Sequence, residues 1–335
     1  MGNKNILVTG CAGYIGASFA FEALKRGFNV IGIDNFSNST LKPIKSIQRY
    51  FGEKFIFHEC DLLNEKLAKV FGKSEEIDCV FHFAALKSVP ESEEFPEIYK
   101  KNNIEGTQNL LNIMNDYSVR KMVFSSSAAV YGKQTQQPIS ESAELKPQNI
   151  YAQTKKISEE IIDEQANKGM LKAISLRYFN PLGSHEEKII SENIENLSGN
   201  IMAMILRNLL LKSNRLSIFG SDYPTKDGTG ERDYIHIIDV VDAHFKAYES
   251  INKKTVHEIY NLGTGQSISV LELIKIFEHV NNKKINYEFA PRRVGDLAKC
   301  FANPDKANKE LNWKARYNLE KMCADSYQAF RDGIK

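Results

Sequence analysis

The stretch that decides the fold is Ile6-Leu7-Val8-Thr9-Gly10-Cys11-Ala12-Gly13-Tyr14-Ile15-Gly16, near the start of the 335-residue chain. Its first three residues are apolar and typical of a buried strand. Gly10, Gly13 and Gly16 then turn the chain into a helix, on which Ile15 and later apolar residues share one face. A strand that passes through a glycine-rich turn directly into a helix indicates the first unit of an α/β fold.

Further strand-type runs follow along the first half of the chain, and helical segments separate them. This alternation predicts an α/β fold with a doubly wound parallel sheet of the Rossmann type, covered by helices on both faces. The runs cover residues 30–33, 55–57, 79–83, 121–124 and 174–178, and the clearest helical segments cover 104–116 and 155–166.

The pattern loosens after residue 180, and the chain is long enough for two domains. We predict a Rossmann-type domain over residues 1–180 and a smaller α/β substrate-binding lobe over residues 181–335. Segments near 232–265 look like strand ends and are expected to return to the first domain. Ligands of such sheets bind at the carboxyl ends of the strands, so the site is expected there.

The composition describes an ordinary globular protein, with 42% hydrophobic residues, 26% charged residues and a net charge of +2. So small a charge gives no reason to expect nucleic acid or an anionic membrane as a partner. The five cysteines show neither a CxxC pair nor a Cys/His metal spacing, so no metal is predicted and the thiols are expected to be reduced. A cytoplasmic location is expected, because no signal peptide or membrane-spanning run is visible.

The glycine loop predicts a dinucleotide cofactor, although its spacing is GxxGxxG. The glycines allow a tight turn, close approach of the backbone to a pyrophosphate and tight packing of the helix on the strand. Asp34 ends the second strand, where a carboxylate binds an adenosine ribose. NAD is predicted over NADP, because Asn35-Phe36-Ser37 follows and offers no arginine to a ribose phosphate. Asp61 fits either the adenine edge or a helix N-cap.

Tyr151 and Lys155, preceded by Ser125-Ser126-Ser127, predict a proton-transfer site. Residues four apart on a helix share a face, so the phenol and the ammonium are expected to point into the same space. A phenol has a pKa near ~10, and a neighbouring positive charge lowers it. Such a pair can take a proton from an alcohol near neutral pH. The spacing by itself is common on solvated helix faces, so the other motifs decide its meaning.

The glycine loop, Ser127 and the Tyr151/Lys155 pair occur in this order along the chain, which resembles the extended short-chain dehydrogenase/reductase superfamily. Further motifs resemble the UDP-glucose 4-epimerases within it, and they span nearly the whole chain. These motifs are Asp34-Asn35, His82-Phe83-Ala84, Asn102-Asn103, Arg177-Tyr178-Phe179-Asn180-Pro181, Ile218-Phe219-Gly220, Asp222-Tyr223-Pro224-Thr225, Asp227-Gly228-Thr229-Gly230, Arg232-Asp233-Tyr234-Ile235-His236 and the run 292–296.

The resemblance implies NAD-dependent inversion at C4 of a UDP-hexose through a 4-keto sugar. It makes Tyr151 the base at the 4-hydroxyl, Ser127 the catalytic serine, and Lys155 a ligand of the nicotinamide ribose that also sets the pKa of Tyr151. A homodimer is expected for a separate reason, because a paired helical face between the domains would suit one. The residues implied to contact NAD are Gly10, Gly13, Tyr14, Ile15, Gly16, Asp34, Asn35, Asp61, Leu62, Phe83, Ala84, Ala85, Lys87, Asn102 and Tyr178.

The UDP-hexose substrate is implied to bind in the second lobe. Arg232 and Arg293 would pair with the diphosphate, since a guanidinium offers forked donors. Asp296 matches the position that holds the uridine ribose. The remaining substrate residues are Asn180 and Asn200 at phosphate or sugar, and Ser217 and Phe219 at the uracil.

Cys300 carries information about the sugar, because some epimerases of this kind have tyrosine at the matching position. A small residue there leaves room for an N-acetyl group, which predicts activity on both UDP-glucose/galactose and UDP-N-acetylglucosamine/galactosamine. The alternative is that Cys300 is a small packing residue and that the pocket narrows elsewhere.

Two rival functions fit parts of the sequence. A sugar-nucleotide 4,6-dehydratase or decarboxylase shares the fold, but dehydratases carry an Asp-Glu pair after the catalytic hydroxyl, and here Ser127 is followed by Ala128-Ala129. A noncatalytic NAD-binding protein would not need an intact Ser127, Tyr151 and Lys155.

Overall fold

The computed structural model describes residues 4–74, 76–185, 187, 200–211, 215–253, 256–293 and 295–333. Its strands are β1 Asn5–Thr9, β2 Asn29–Asp34, β3 Phe55–Glu59, β4 Ile77–His82, β5 Lys121–Ser127, β6 Lys172–Tyr178, β7 Asn180–Leu182, β8 Leu216–Phe219, β9 Glu231–Arg232, β10 Tyr234–His236, β11 Glu258–Leu262, β12 Ile268–Ser269, β13 Tyr287–Ala290 and β14 Lys299–Cys300.

The helices alternate with the strands of the first half and dominate the second. They are α1 Tyr14–Lys25, α2 Leu41–Phe51, α3 Lys66–Lys73, α4 Val89–Glu94, α5 Pro96–Lys100, α6 Gly106–Asp116, α7 Ile150–Asn167, α8 Ile201–Leu211, α9 Ile237–Ser250, α10 Val270–Asn281, α11 Asp305–Glu310 and α12 Leu319–Gly333. A π-helical turn, Lys101–Glu105, joins α5 to α6.

In the described part of the chain, seven strands form one parallel sheet in the order β11-β6-β5-β4-β1-β2-β3. Successive residues of β1 point to opposite faces, as a strand requires. Ile6 and Val8 join the apolar cluster under α1, α2 and α9, whereas Leu7 joins the cluster under α3, α6 and α7. Both faces are therefore buried, which confirms the predicted doubly wound sheet.

The second half of the chain contributes to two places. Strand β11 pairs with β6 at the edge of the main sheet, and α9 packs against α1. Helices α8, α10 and α12 instead form a separate apolar cluster that includes Leu206, Phe277 and Met322. Two short strand pairs contact these helices: β7 with β10 packs against α12, and β8 of the pair β8 with β13 packs against α8. The proposed division at residue 180 stays a prediction.

None of the helices that the structure describes is both long enough and apolar enough to cross a membrane. Among the same residues, no cluster of histidine, cysteine and acidic side chains could hold a metal ion.

Candidate active site

A cavity of about 1310 Å³ lies between the carboxyl ends of the sheet and the second lobe. The residues after β1, β2, β4, β5 and β6 line one side of it, as the parallel topology requires. Residues of α8, β8 and β9 line the other side. Every residue that the sequence suggested for cofactor, catalysis or substrate lies on its wall, with the exception of Cys300.

The glycine loop is shaped so that only glycine fits at two of its positions. Gly10 has a φ of +68°, and a Cβ there would lie 2.7 Å from the backbone nitrogen of Ala84. A Cβ at Gly16 would lie 2.2 Å from the carbonyl oxygen of Gly10. Gly13 caps α1 without a side-chain hydrogen bond, so no side chain competes for the amides of that helix end. This cradle fits a pyrophosphate.

Asp34 holds the next part of the cofactor wall in place. Its carboxylate accepts hydrogen bonds from the backbone nitrogens of Ala12 and Phe36, both at 2.9 Å, and from Ser39 Oγ at 2.8 Å. A carboxylate has about four acceptor positions, so a ribose hydroxyl can still be accommodated. Asp34 thus fixes the glycine loop and presents a carboxylate to the cavity. A carboxylate can accept hydrogen bonds from the ribose hydroxyls of NAD, but it would repel the ribose phosphate of NADP.

Asp61 also faces the cavity, and it does not cap a helix. Its Oδ1 accepts from the backbone nitrogen of Leu63 at 2.8 Å, and its Oδ2 accepts from Asn35 Nδ2 at 2.7 Å. Helix α3 begins later and is preceded by Glu65, so the N-cap alternative is wrong. The Asn35–Asp61 hydrogen bond joins the ends of β2 and β3 at one end of the cavity.

Asn102 reaches the cavity from the π-helical turn, a local widening that is frequent at functional sites. Its neighbour Asn103 is buried and points away to brace the loop after β4. Asn103 accepts from the backbone nitrogen of Leu86 at 2.8 Å and donates to Thr154 Oγ1 at 2.9 Å. The turn therefore ties the cofactor wall to α7, and Lys87 lines the cavity from the same loop.

Tyr151 and Ser127 meet at the centre of the cavity. Asn149 caps α7 by accepting from the backbone nitrogen of Ala152 at 2.8 Å, which sets where Tyr151 lies. Burial raises the pKa of Tyr151, whereas its hydrogen bond with Ser127 lowers it. The net direction is upward, so the lowered Tyr151 pKa predicted from the spacing is wrong for the protein alone. The physical reason is loss of solvation of the phenolate.

Lys155 is buried at 4% exposure, and its ammonium donates to the carbonyl oxygen of Ser125 at 2.8 Å. The ammonium also lies 4.8 Å from the ring centre of Phe124. Burial lowers the pKa of Lys155 to about 8, and Glu159 opposes that shift. Nearby, the hydroxyls of Tyr178 and Ser125 are 2.9 Å apart. Lys155 is thus held above the serine strand.

The two arginines predicted to bind diphosphate share one acid. Arg232 Nη2 lies 3.3 Å from Asp296 Oδ1, and Arg293 Nε lies 3.4 Å from Asp296 Oδ2. Arg232 also donates to the carbonyl oxygen of Leu297 at 2.8 Å. The guanidinium of Arg293 stacks over Phe219 at 4.2 Å. Two cations with one carboxylate leave a net positive wall, which suits a diphosphate.

The other predicted substrate residues take different positions on the same wall. Asn200 caps the start of α8 by accepting from the backbone nitrogen of Met202 at 2.9 Å. Asn180 begins β7, and its backbone nitrogen donates to the carbonyl oxygen of Asp233 at 3.0 Å. Ser217 lies on β8 two residues before Phe219. Hydrogen bonds to backbone atoms of Asp233 and Met202 therefore hold Asn180 and Asn200 at the cavity wall.

Cys300 is not among the residues that line the cavity, although its strand partner Arg232 is. It pairs with Arg232 across β14 and β9, and its side chain packs in the cluster that contains Phe179 and Ala302. Burial raises the pKa of its thiol to about 11. The effect of Cys300 on the sugar pocket therefore stays a prediction, and its link to the cavity is the cluster that it shares with Phe179, which does line the cavity.

Tyr223 is a cavity residue to which sequence reasoning gave no role. It is 6% exposed, and its buried hydroxyl has no hydrogen-bond partner among the described residues. Arg292 stacks over its ring at 4.2 Å, and a Cβ at Gly220 would lie 2.4 Å from the ring. The motif Asp222-Tyr223-Pro224-Thr225 could have drawn attention to Tyr223, but a motif does not show that the side chain is buried.

The two residues that follow Ser127 are Ala128 and Ala129, and neither carries an acid. Ser127 caps a short 3₁₀ turn, Ala128–Tyr131, by accepting from the backbone nitrogen of Ala129 at 3.2 Å. Glu93 lines the cavity, but its carboxylate accepts from the backbone nitrogen of Ile150 at 2.8 Å. The arrangement suits removal and return of one hydroxyl proton, and the strand end after Ser127 offers alanines where elimination would need an acid–base pair.

Comparison with known proteins agrees with this geometry. The family model described as GDP-mannose 4,6 dehydratase matches residues 7–326. A UDP-glucose 4-epimerase of Bacillus subtilis is 44% identical over 324 residues, which make up 96% of this chain and 96% of that protein.

Two solved structures are also similar. The UDP-glucose-4-epimerase from Stenotrophomonas maltophila, with bound NAD and formylated UDP-arabinopyranose, has a TM-score of 0.94 at 39% identity and covers 99% of both chains. The UDP-Glc/GlcNAc 4-epimerase of Campylobacter jejuni has a TM-score of 0.83 at 32% identity, covering 98% of this chain and 99% of that one.

Proposed function

This chain belongs to the UDP-glucose 4-epimerase family of the extended short-chain dehydrogenases/reductases, and on that basis we propose how its residues invert C4 of a UDP-hexose. The observation that carries the proposal is the shared cavity. Ser127, Tyr151 and Lys155 face the same space as the glycine loop on one side and Arg232 with Arg293 on the other.

Tyr151 acts as the base that takes the proton from the sugar 4-hydroxyl and later returns it to the 4-keto sugar. Ser127 holds the same oxygen, since it already hydrogen-bonds Tyr151. Bound NAD⁺ would supply a hydride acceptor and donor for C4, and its cationic ring would favour the Tyr151 phenolate. Lys155 adds a second positive charge and binds the nicotinamide ribose.

The glycine loop and Asp34 hold the cofactor, and the second lobe holds UDP. Arg232 and Arg293 bind the diphosphate, with Asp296 at the uridine ribose and Phe219 against the uracil. Because the protein holds the substrate through its UDP part, the 4-keto sugar can turn within the cavity and present its other face. Binding energy from UDP thereby keeps the intermediate in place.

The test is conversion of UDP-galactose to UDP-glucose by purified protein without added cofactor, with the bound nucleotide released by acid and measured. We expect an equilibrium mixture of the two sugars and bound NAD. Bound NAD without conversion would favour the noncatalytic alternative. A 4-keto-6-deoxy product would favour dehydration, the chemistry after which the matching family model is described.

We also propose activity on UDP-N-acetylglucosamine and UDP-N-acetylgalactosamine. The similar Campylobacter jejuni protein is a UDP-Glc/GlcNAc 4-epimerase, and the small Cys300 packs in the same cluster as Phe179 of the cavity wall. A bulky residue at position 300 would push Phe179 into the cavity, whereas cysteine leaves it in place. Room for the larger sugar is needed for turnover but does not guarantee it.

A Cys300→Tyr variant tests this second activity, with Cys300→Ala as the matched small control. We expect the ratio of kcat/KM for the N-acetyl pair to that for the glucose pair to fall at least about tenfold in the tyrosine variant, as for a steric clash worth about 1.4 kcal/mol. The alanine variant should keep the wild-type ratio. An unchanged ratio with tyrosine would place the size limit elsewhere.

We propose that the protein forms a homodimer through α5 and α7. These helices pack together and expose Ile98 at 58% and Ile157 at 37%, with Phe95 beside them at 44%. A second copy would cover this apolar face. Light scattering should report a dimer for the wild type, and Ile98→Glu should weaken that dimer. Ile56→Glu, on the edge strand β3, should leave the dimer unchanged. A monomeric wild type would refute the proposal.

We propose a cytoplasmic location. The five cysteines are all free, and four of them are buried, which suits a reducing compartment. Cell fractionation with a tagged chain tests this, and recovery in an oxidising compartment would contradict it.

A further inference from the structure

Glu159 lies one helical turn after Lys155 on α7 and is only 4% exposed. Its carboxylate accepts hydrogen bonds from Arg177 Nε at 2.9 Å and Nη2 at 2.5 Å, and from Ser126 Oγ at 2.5 Å. Arg177 is on β6 and Ser126 is on β5. One buried carboxylate therefore joins the helix of Tyr151 and Lys155 to both strands beneath the cavity.

The bond to Ser126 falls between the two contacts that the proposed mechanism uses. The carbonyl oxygen of Ser125 accepts from Lys155, and Ser127 hydrogen-bonds Tyr151. Ser126 points to the opposite side of β5, as alternation along a strand requires. Its bond to Glu159 therefore ties the middle residue of the serine run to α7, while the residues on either side make the two catalytic contacts.

Glu159 also sets the charge around Lys155. Arg177 and Lys155 are both buried cations, at 2% and 4% exposure, and Glu159 supplies a carboxylate beside each of them. Two histidines facing this region are neutral near pH 7, and the carboxylate of Asp163, which is 54% exposed, pairs with one of them, His257. Burial lowers the pKa of His82 on β4 to about 3 and also lowers that of His257, which precedes β11 and hydrogen-bonds Asp163 of α7.

In the protein without cofactor, the tyrosines around Lys155 and Glu159 are neutral as well. Burial raises the pKa of Tyr131 to about 12, and it raises the pKa of Tyr151 and Tyr178. Tyr131 additionally accepts a hydrogen bond from Arg177 Nη1 at 3.0 Å and donates to Asn261 at 2.6 Å. Glu159 is therefore the buried carboxylate that acts on Lys155.

We propose that Glu159 is a positioning residue of the epimerase site, which holds the serine strand against α7 and keeps the buried Lys155 side chain an ammonium ion. This inference rests on the role proposed above for Lys155. Removing the carboxylate would leave Arg177 without its partner and would raise the positive potential at Lys155, so that the lysine loses its proton at lower pH.

The experiment compares wild type with Glu159→Gln, both carrying bound NAD. Lysine labelled with ¹³C at Cε gives the titration of Lys155 by NMR, assigned with a Lys155→Arg variant. We expect the Lys155 titration in Glu159→Gln to move down by about one pH unit or more, and the alkaline limb of kcat to move with it. An unchanged Lys155 titration would overturn the inference.

Two further variants separate positioning from general support of the core. Ile162→Val shortens a buried side chain on the same helix; it should lower thermal stability and leave the titration and the kcat limb in place. Glu159→Asp keeps the charge, so its Lys155 titration should stay near that of wild type. A downward shift of about one pH unit or more in Glu159→Asp would refute the charge assignment. This variant provides a test even if Glu159→Gln does not fold.

Ser126→Ala isolates the strand contact, because it leaves the Glu159–Arg177 ion pair intact. We expect kcat to fall at least about fivefold while the Lys155 titration stays unchanged; a wild-type kcat would refute the positioning role. If the Lys155 titration moves in Glu159→Gln and the kcat limb does not, the inference about Glu159 stands and the proposed role of Lys155 fails.

Discussion

The Lys155 ammonium donates a 2.8 Å hydrogen bond to the carbonyl oxygen of Ser125. The two residues are thirty positions apart, on α7 and β5. This bond directs the ammonium at the backbone of the serine strand, while burial of the phenol raises the pKa of Tyr151. The charges of Tyr151 and Lys155 therefore depend on burial and on neighbours such as Ser127 and Glu159, and not on their spacing along α7 alone.

Replacement of Tyr151 by phenylalanine should remove the base and keep the fold. We expect kcat for UDP-galactose to fall by about 10²- to 10⁴-fold, the usual contribution of a positioned acid–base group. The bound NAD content should stay that of wild type. Tyr50→Phe is the control, since Tyr50 is an exposed residue of α2 that does not line the cavity. Wild-type turnover in Tyr151→Phe would overturn the assignment.

Activity and stability should respond to alkaline pH in opposite directions because of Lys155. Burial lowers its pKa from 10.5 to about 8. Activity that needs the ammonium should therefore decline above about pH 8. Between the two values the unfolded chain binds a proton that the folded protein does not, so the contribution of Lys155 to stability rises with pH by up to about 3 kcal/mol.

The measurement for Lys155 is urea unfolding of wild type and Lys155→Met at pH 7 and pH 9.5. We expect the methionine variant to gain less stability on going to high pH than wild type does. Equal changes in the two proteins would show that the Lys155 pKa is not lowered in the folded state.

Loss of the Asp34 carboxylate should weaken NAD binding in two ways. Asp34→Ala removes the acceptor for the ribose and also the bonds that hold Ala12 and Phe36. We expect NAD affinity to fall at least about tenfold, as for loss of hydrogen bonds to a charged group worth about 1.5–3 kcal/mol. Titration calorimetry of nucleotide-free protein measures it, with the exposed Asp305→Ala as control. Unchanged affinity would place the ribose elsewhere.

Lysine at position 232 should keep the charge and lose the forked geometry. Arg232→Lys can no longer bond the Leu297 carbonyl and Asp296 together. We expect KM for UDP-galactose to rise about 10- to 100-fold, corresponding to about 1.5–3 kcal/mol. The exposed Arg215→Lys is the matched control. A wild-type KM in Arg232→Lys would exclude a diphosphate contact.

Local patterns in the sequence determined the sheet and the cofactor cradle. Ile6, Leu7 and Val8 alternate between two buried faces, and Gly10 and Gly16 leave no room for a side chain. These features follow from the geometry of a few consecutive residues, so they can be read before the chain is folded. The positions of Ser127, Tyr151 and the arginines on the cavity wall also agree with their motifs.

The tertiary structure alone decided how these groups are charged and what stands behind them. It paired Glu159 with Arg177 and Ser126, buried the hydroxyl of Tyr223, and packed Cys300 in the cluster that contains Phe179. Each of these depends on segments that are far apart in the chain and meet only after folding. Desolvation, which raises the pKa of Tyr151, is a property of the packed environment, and no spacing within one helix contains it.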